Sequence, residues 1–200
     1  MAWKTCKLLT AMLFAMVFGM TGLARANLVV NSGFENGNFS GWTLTGDTSY
    51  TTVNSGSGAY AGNYYGSFGS VNSQAFLSQT IVTTVGASYT VSFRLANIAN
   101  GQGRTTPNSF SASFGSSLVS MTNSSAFGYT LYTYLVTATA ASTTLQFSFY
   151  NVPGYWRLDA VNVDVVPAVP LPGSFPLLAM GLVGLCCIGR RRTKSLKPRI

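Results

Sequence analysis

The chain has 200 residues, 8% of them charged and 47% hydrophobic, which leaves room for one domain with short appendages and excludes the charge-rich, hydrophobe-poor class that stays disordered. The formal charge of +8 gathers at the two ends. Residues 27–165 carry only Arg94, Arg104 and Arg157 against Glu35, Asp47, Asp159 and Asp164, and so near-neutral a stretch lacks the basic stripe that nucleic acid requires. There is no His, and the cysteines are Cys6, Cys186 and Cys187, which excludes imidazole triads, His-ligated metals, disulfides and thiolate chemistry from the middle of the chain.

In chain order, residues 1–26 read as a secretory signal peptide. Lys4 and Lys7 precede an apolar run over 8–23, and Ala24-Arg25-Ala26 gives a small-x-small site at Ala24 and Ala26 for signal peptidase. The alternative is a retained N-terminal anchor; Cys6 stands before the apolar run, so it is no lipoprotein acceptor.

Residues 27–165 show strand signals and no sustained helical period. Apolar residues alternate with polar ones at Tyr89, Val91, Phe93 and Leu95, at Phe110, Ala112 and Phe114, at Leu145, Phe147 and Phe149, and at Val161, Val163 and Val165. Residues 131–139 are rich in β-branched and aromatic side chains. Weaker strands are expected over 28–30, 42–45, 50–53, 60–67 and 75–83, with Gly, Asn and Ser turns between. Nine or ten short strands without cysteine predict an all-β fold, a two-sheet jelly-roll sandwich with Phe93, Leu95, Phe147, Phe149, Val161 and Val163 in its core.

The C-terminal part, 166–200, has three pieces in order. Pro167, Pro170 and Pro172 make a stiff spacer. An uncharged run over 171–189 approaches the ~20 residues of a membrane-spanning helix. The basic cluster beginning Arg190, Arg191, Arg192 would stay cytoplasmic, placing 27–165 outside the inner membrane. A plain single-pass anchor on a Pro-rich stalk has the same layout.

The run Val169-Pro170-Leu171-Pro172-Gly173, a short apolar helix and a terminal Arg run resemble the PEP-CTERM sorting signal of Gram-negative bacteria, in a VPLP variant whose Leu171 stands where the usual motif has glutamate. The resemblance implies export, anchoring by the C-terminal helix, processing by an exosortase-like enzyme, release to the cell surface or beyond, and a link to exopolysaccharide and biofilm.

The middle domain opens with Asn31-Ser32-Gly33-Phe34-Glu35 and Gly41-Trp42, and closes with Trp156-Arg157-Leu158-Asp159-Ala160-Val161. The pairing resembles the galactose-binding-like jelly roll of carbohydrate-binding modules. That resemblance implies a structural Ca²⁺ held by Glu35 and Asp159, with Ala160 in place of a second closing Asp. Calcium prefers oxygen ligands, so the residue types suit it. Otherwise Glu35 is a surface or turn carboxylate and Asp159 pairs with Arg157 or Arg104. Tyr64, Tyr65, Tyr155 and Trp156 are candidate glycan-binding platforms, because sugar rings stack on aromatic faces; core packing is the competing role for Trp42 and Trp156. The expected function is a non-enzymatic surface or matrix protein with a polysaccharide as partner. A secreted carbohydrate-active hydrolase and a self-associating structural module are the alternatives.

Overall fold

The structure is a computed structural model, and it describes residues 26–167. No helix occurs among the described residues. Ten strands do: β1 (Thr43–Gly46), β2 (Thr51–Ser55), β3 (Tyr64–Phe68), β4 (Ala75–Val82), β5 (Ser88–Ile98), β6 (Asn108–Phe114), β7 (Ser116–Thr122), β8 (Phe127–Thr137), β9 (Ser142–Asn151) and β10 (Tyr155–Val165). They form sheet A, in the order β1-β4-β9-β6-β7, and sheet B, in the order β2-β3-β10-β5-β8. Every pairing is antiparallel, which gives the two-sheet sandwich expected from the alternating pattern. The signal-peptide helix with Ala24, the membrane span, the motif Pro170-Leu171-Pro172-Gly173 and Arg190, Arg191 and Arg192 lie outside the described residues.

Alternation places the core. On β5, Val91, Phe93 and Leu95 turn inward, and on β10 Trp156, Leu158, Val161 and Val163 do the same; they meet Leu77 of β4, Phe110 of β6 and Leu145, Phe147 and Phe149 of β9. All six residues predicted for the core have no exposed surface. Phe68 stacks on Phe149 at 3.8 Å between ring centroids, and Phe93 meets Phe147 edge-on at 5.1 Å. Each such ring contributes roughly 1.5–3 kcal/mol through removal from water, so the sandwich rests on aromatic burial rather than on ion pairs.

Three differences from the expected strands have physical causes. β10 begins at Tyr155, well before the expected 161–165, because a bulge between Asp159 and Asn162 shifts the period and hides its first half. β7 is a polar edge strand, half exposed, with little apolar signal. Residues 28–30 join no sheet, yet they lie along β10: Leu28 N–H donates to the Val163 carbonyl at 2.9 Å. Asn27 secures them, its Nδ2 donating to the Val161 carbonyl at 2.9 Å and its Oδ1 accepting from Val163 N–H at 3.0 Å. Gln79 of β4 ties the same segment to sheet A, accepting from Val30 N–H at 2.8 Å and donating to the Gly41 carbonyl at 2.8 Å. The start of the domain is thus fastened to its last strand and to both sheets.

Candidate functional site

Two features stand on sheet B: a carboxylate pair beside the N-terminal loop, and a groove on the sheet's outer face. The pair forms because 31–41 coils back on itself. Phe34 adopts φ +60° and Asn31 φ +51°, conformations that bulky L residues rarely take. Phe34 enters the core beside Trp42, with centroids 6.0 Å apart, while its neighbour Glu35 turns out toward 62–64. On β10 the bulge puts Ala160 at φ +49° and leaves Val161 N–H free to donate to the Ser32 carbonyl at 3.0 Å. Two strained backbone positions therefore adjoin the two carboxylates.

Both acids grip the loop between β2 and β3. Glu35 Oε1 accepts from Tyr64 N–H at 3.1 Å, and its Oε2 from Asn63 N–H at 3.0 Å. Asp159 Oδ2 accepts from Tyr60 N–H at 2.8 Å and Ala61 N–H at 3.1 Å, while Oδ1 accepts from Ala160 N–H at 2.6 Å. Gly33 lies between the acids, where an added Cβ would stand 3.5 Å from Asp159 Oδ1 and 3.7 Å from Glu35 Oε1. Asp159 has no exposed surface. Burial pushes its carboxyl above the ordinary 3.8, and the negative charge of Glu35 adds to the rise, against the pull of the three N–H donors. Asp159 thus pairs with main-chain donors rather than with Arg157 or Arg104. Two converging carboxylates, one of them buried and repelled by the other, fit a hard oxygen-liganded cation. Among the described residues there is no cluster of three or more His, Cys, Asp or Glu, so backbone carbonyls and water would have to complete such a shell.

The groove has a volume of about 350 Å³ and is lined by Ser49, Tyr50, Thr52, Asn54, Tyr65, Ser67, Ile98, Tyr155 and Arg157. Pairing register explains the set. Arg157 lies opposite Ser67 on β3 and Ala96 on β5; Ser67 lies opposite Thr52, and Tyr65 opposite Asn54. These residues share the outward face, alternating with Trp156, Leu158 and Phe68, which point into the core. Tyr50 and Tyr155 are 50% and 40% exposed and wall the groove. A second hollow, of about 200 Å³, shares Tyr50 and Tyr155 and continues over Gly154 and Asn151. The two tyrosines flank Gly69 at one end of the groove, where Gly69 N–H donates to the Tyr50 carbonyl at 3.1 Å and the Tyr155 ring covers the glycine; beyond them the groove presents hydroxyls, one amide and one guanidinium.

The four tyrosine and tryptophan candidates separate. Tyr155 walls the groove. Tyr65 is almost buried at its floor, its ring 4.9 Å beneath the Arg157 guanidinium. Tyr64 points the other way, packs on the core and approaches Gly37, so it is not a surface platform. Trp156 has no exposed surface and donates its Nε1–H to the Tyr150 carbonyl at 3.0 Å; it packs 5.5 Å from Phe110 and is corrected from platform to core. Sequence reasoning missed Tyr50, Thr52, Asn54, Ser67 and Arg157 as groove residues. Their signal was the polar half of each alternating strand.

No family model matches the sequence, and no curated protein matches it. Solved structures do. A structure of TmCBM61 in complex with β-1,4-galactotriose is similar at 19% identity and a TM-score of 0.50, over 69% of this chain and 97% of that one. The enzymatically active domain of tailspike protein 4 of bacteriophage CBA120 is similar at 18% identity and a TM-score of 0.54, over 70% of this chain; the match spans about a fifth of the tailspike chain, 21%. The CBM22-1 xylan-binding domain of Paenibacillus barcinonensis Xyn10C aligns at 16% identity with a TM-score of 0.47, over 73% of this chain and 99% of that one. The described residues thus form two antiparallel sheets consistent with a jelly-roll sandwich, similar in fold to the carbohydrate-binding module TmCBM61.

Proposed function

We propose that residues 27–165 form a non-catalytic carbohydrate-binding domain that takes a segment of polysaccharide into the groove on the outer face of sheet B. The observation that carries this reading is the groove itself, in which Tyr50 and Tyr155, 50% and 40% exposed, stand together at one end of a floor of hydroxyl and amide groups. Aromatic faces cover the apolar side of a pyranose while the polar floor orients its hydroxyls. Calorimetry against galactan and xylan oligosaccharides, chosen from the ligands of the structural neighbours, tests it. Tyr50→Ala and Tyr155→Ala are each expected to weaken binding about tenfold, the loss of one stacking contact. Absence of binding to every glycan tried would discard the reading.

The engagement of the acids favours binding over hydrolysis. A glycosidase needs two carboxyl groups facing each other across the sugar. Here Glu35 and Asp159 hold the loop over 60–64, and Asp47 holds Val71 and Asn72. Within this proposal Glu35 and Asp159 would hold a Ca²⁺ ion, whose charge would offset their mutual repulsion, and the two residues fix the loop over 60–64 that joins β2 to β3. The chain's two ends complete the proposal: a leader removed after Ala26, and a C-terminal signal through Pro170-Leu171-Pro172-Gly173, processed by an exosortase-like enzyme, that delivers the domain to the cell surface. The C-terminal mass of mature protein from its host tests that part, and a chain still ending at Ile200 would sink it.

A further inference from the structure

We infer that the groove is selective for an acidic glycan, and that Arg157 receives the carboxylate of a uronate residue. The inference rests on the reading of the groove as a glycan site and names its ligand class.

Arg157 is the one charged residue in the groove wall. Its strand neighbours, Ser67 and Ala96, are small, so the space above it is open. Tyr65 supports its guanidinium from below, with the carbon of that group 4.9 Å from the ring centroid. A guanidinium fork attracted to an aromatic face keeps N–H groups to offer a ligand.

The acids of the chain do not occupy that fork. There are four. Asp159 stands two residues along the same strand, but its oxygens accept from Tyr60, Ala61 and Ala160 N–H groups. Glu35 is bound to Asn63 and Tyr64, and Asp47 to Val71 and Asn72. Asp164 lies opposite Thr90, about 20 Å along β10 at ordinary strand rise.

The other two cations of the domain do not line the groove. Arg94, opposite Asp159 on the same face of sheet B, lies against Tyr60, 4.2 Å from its ring centroid, and Arg104 belongs to the turn in which Asn100 Oδ1 accepts its backbone N–H at 2.9 Å.

Ligand chemistry follows from this charge placement. A neutral sugar seated in the groove would strip water from a guanidinium and return only hydroxyl contacts, which costs binding energy. A carboxylate matches the fork with two parallel charge-assisted hydrogen bonds. The same pyranose ring still has Tyr50 and Tyr155 beside it, with Asn54 and Ser67 for its hydroxyls.

The test compares two probes on the full chain: a galacturonate trisaccharide, and the same trisaccharide after reduction of its carboxyl groups to alcohols. Wild-type protein is expected to bind the acidic form at least about tenfold more tightly, the effect of one charge-assisted pair, with the preference shrinking as NaCl is raised. Arg157→Gln is expected to erase the preference by weakening binding of the acidic trisaccharide, and Arg157→Lys to retain part of it. The terminal basic residues are present in every variant, so binding through them would survive Arg157→Gln. Equal affinity of the wild type for both forms, a preference for the reduced form, or a preference that survives Arg157→Gln would each overturn the inference and leave the groove a neutral-glycan site. Failure of the wild type to bind either form, together with galactan and xylan, would remove the parent reading and this one with it. Should Arg157→Gln fail to fold, Arg157→Lys takes its place, and a preference that it leaves undiminished overturns the inference.

Discussion

Asp159 is held by three backbone N–H groups and still sits above its ordinary pKa, because burial and the charge of Glu35 outweigh them. In metal-free protein the folded state takes up this proton before the unfolded chain does. Lowering the pH from neutral through the folded pKa to 3.8 therefore adds stability from this group. Asp47 has the opposite sign. The Asn72 N–H and other donors hold its carboxyl well below 3.8, so its contribution is full at neutral pH and is lost as the pH falls below 3.8 through its folded value. Melting curves across pH in chelator should show Asp159→Asn removing the gain above 3.8, and Asp47→Asn removing part of the loss below it. If Glu35 and Asp159 hold calcium as proposed, the ion at a hundred times Kd should stabilise the wild type by about 2.7 kcal/mol, seen as a rise of several degrees in Tm. Identical melts in calcium and chelator would end the metal proposal.

A second polar cluster is wholly structural. Asn151 Nδ2 donates to Asn97 Oδ1 at 2.9 Å, Asn97 Nδ2 to the Ser124 carbonyl at 2.9 Å, and Gly154 N–H to Asn151 Oδ1 at 3.1 Å, all out of water. Asn151→Ala strands these partners and should cost about 1–3 kcal/mol in urea unfolding. Residue identities legible in the sequence were those with paired signals: Glu35 and Asp159 at matching ends of the domain are brought together. Asn97 and Asn151 were illegible, because an Asn in a strand looks the same whether it meets solvent or another Asn across the sandwich.

At the scale of elements, period-two alternation carried most of the fold. It located the inward faces of β5, β6 and β9, and failed where the pattern is interrupted or one-sided. The bulge in β10 masked Trp156 and Leu158, and a Trp inside a closing motif gave no sign of which face it would join. β1 ends at Gly46, which has φ +80° and whose missing Cβ leaves room for the Gln74 carbonyl. Backbone cannot give way as a side chain would, so Gly46→Ala should cost more than about 1 kcal/mol, measured as a lowered denaturation midpoint with an unchanged slope. β8 is an edge strand without charge, and its Leu135 is 71% exposed on the outward face. Such edges invite pairing with another chain. Leu135→Lys should raise the concentration at which light scattering appears while changing stability by less than about 0.5 kcal/mol. Loss of a specific oligomer in that variant would favour the self-associating module.

For the whole molecule, charge scarcity and the absent His and Cys bounded the chemistry before any strand was placed. The groove lay beyond such reasoning, since its residues come from β2, β3, β5 and β10 and from the turn before β2, and only register brings them together. That register has a consequence for biogenesis. β10, the last of the described strands, occupies the centre of sheet B between β3 and β5, and the first residues of the domain are fastened to it at Val161 and Val163. A chain emerging from the ribosome has a gap in the middle of that sheet and an unfastened segment over 27–30 until residues 155–165 are translated. Long-range pairings of this kind form late. A polypeptide built in this order cannot complete sheet B until β10 is delivered, and its N-terminal segment is fastened in the same step.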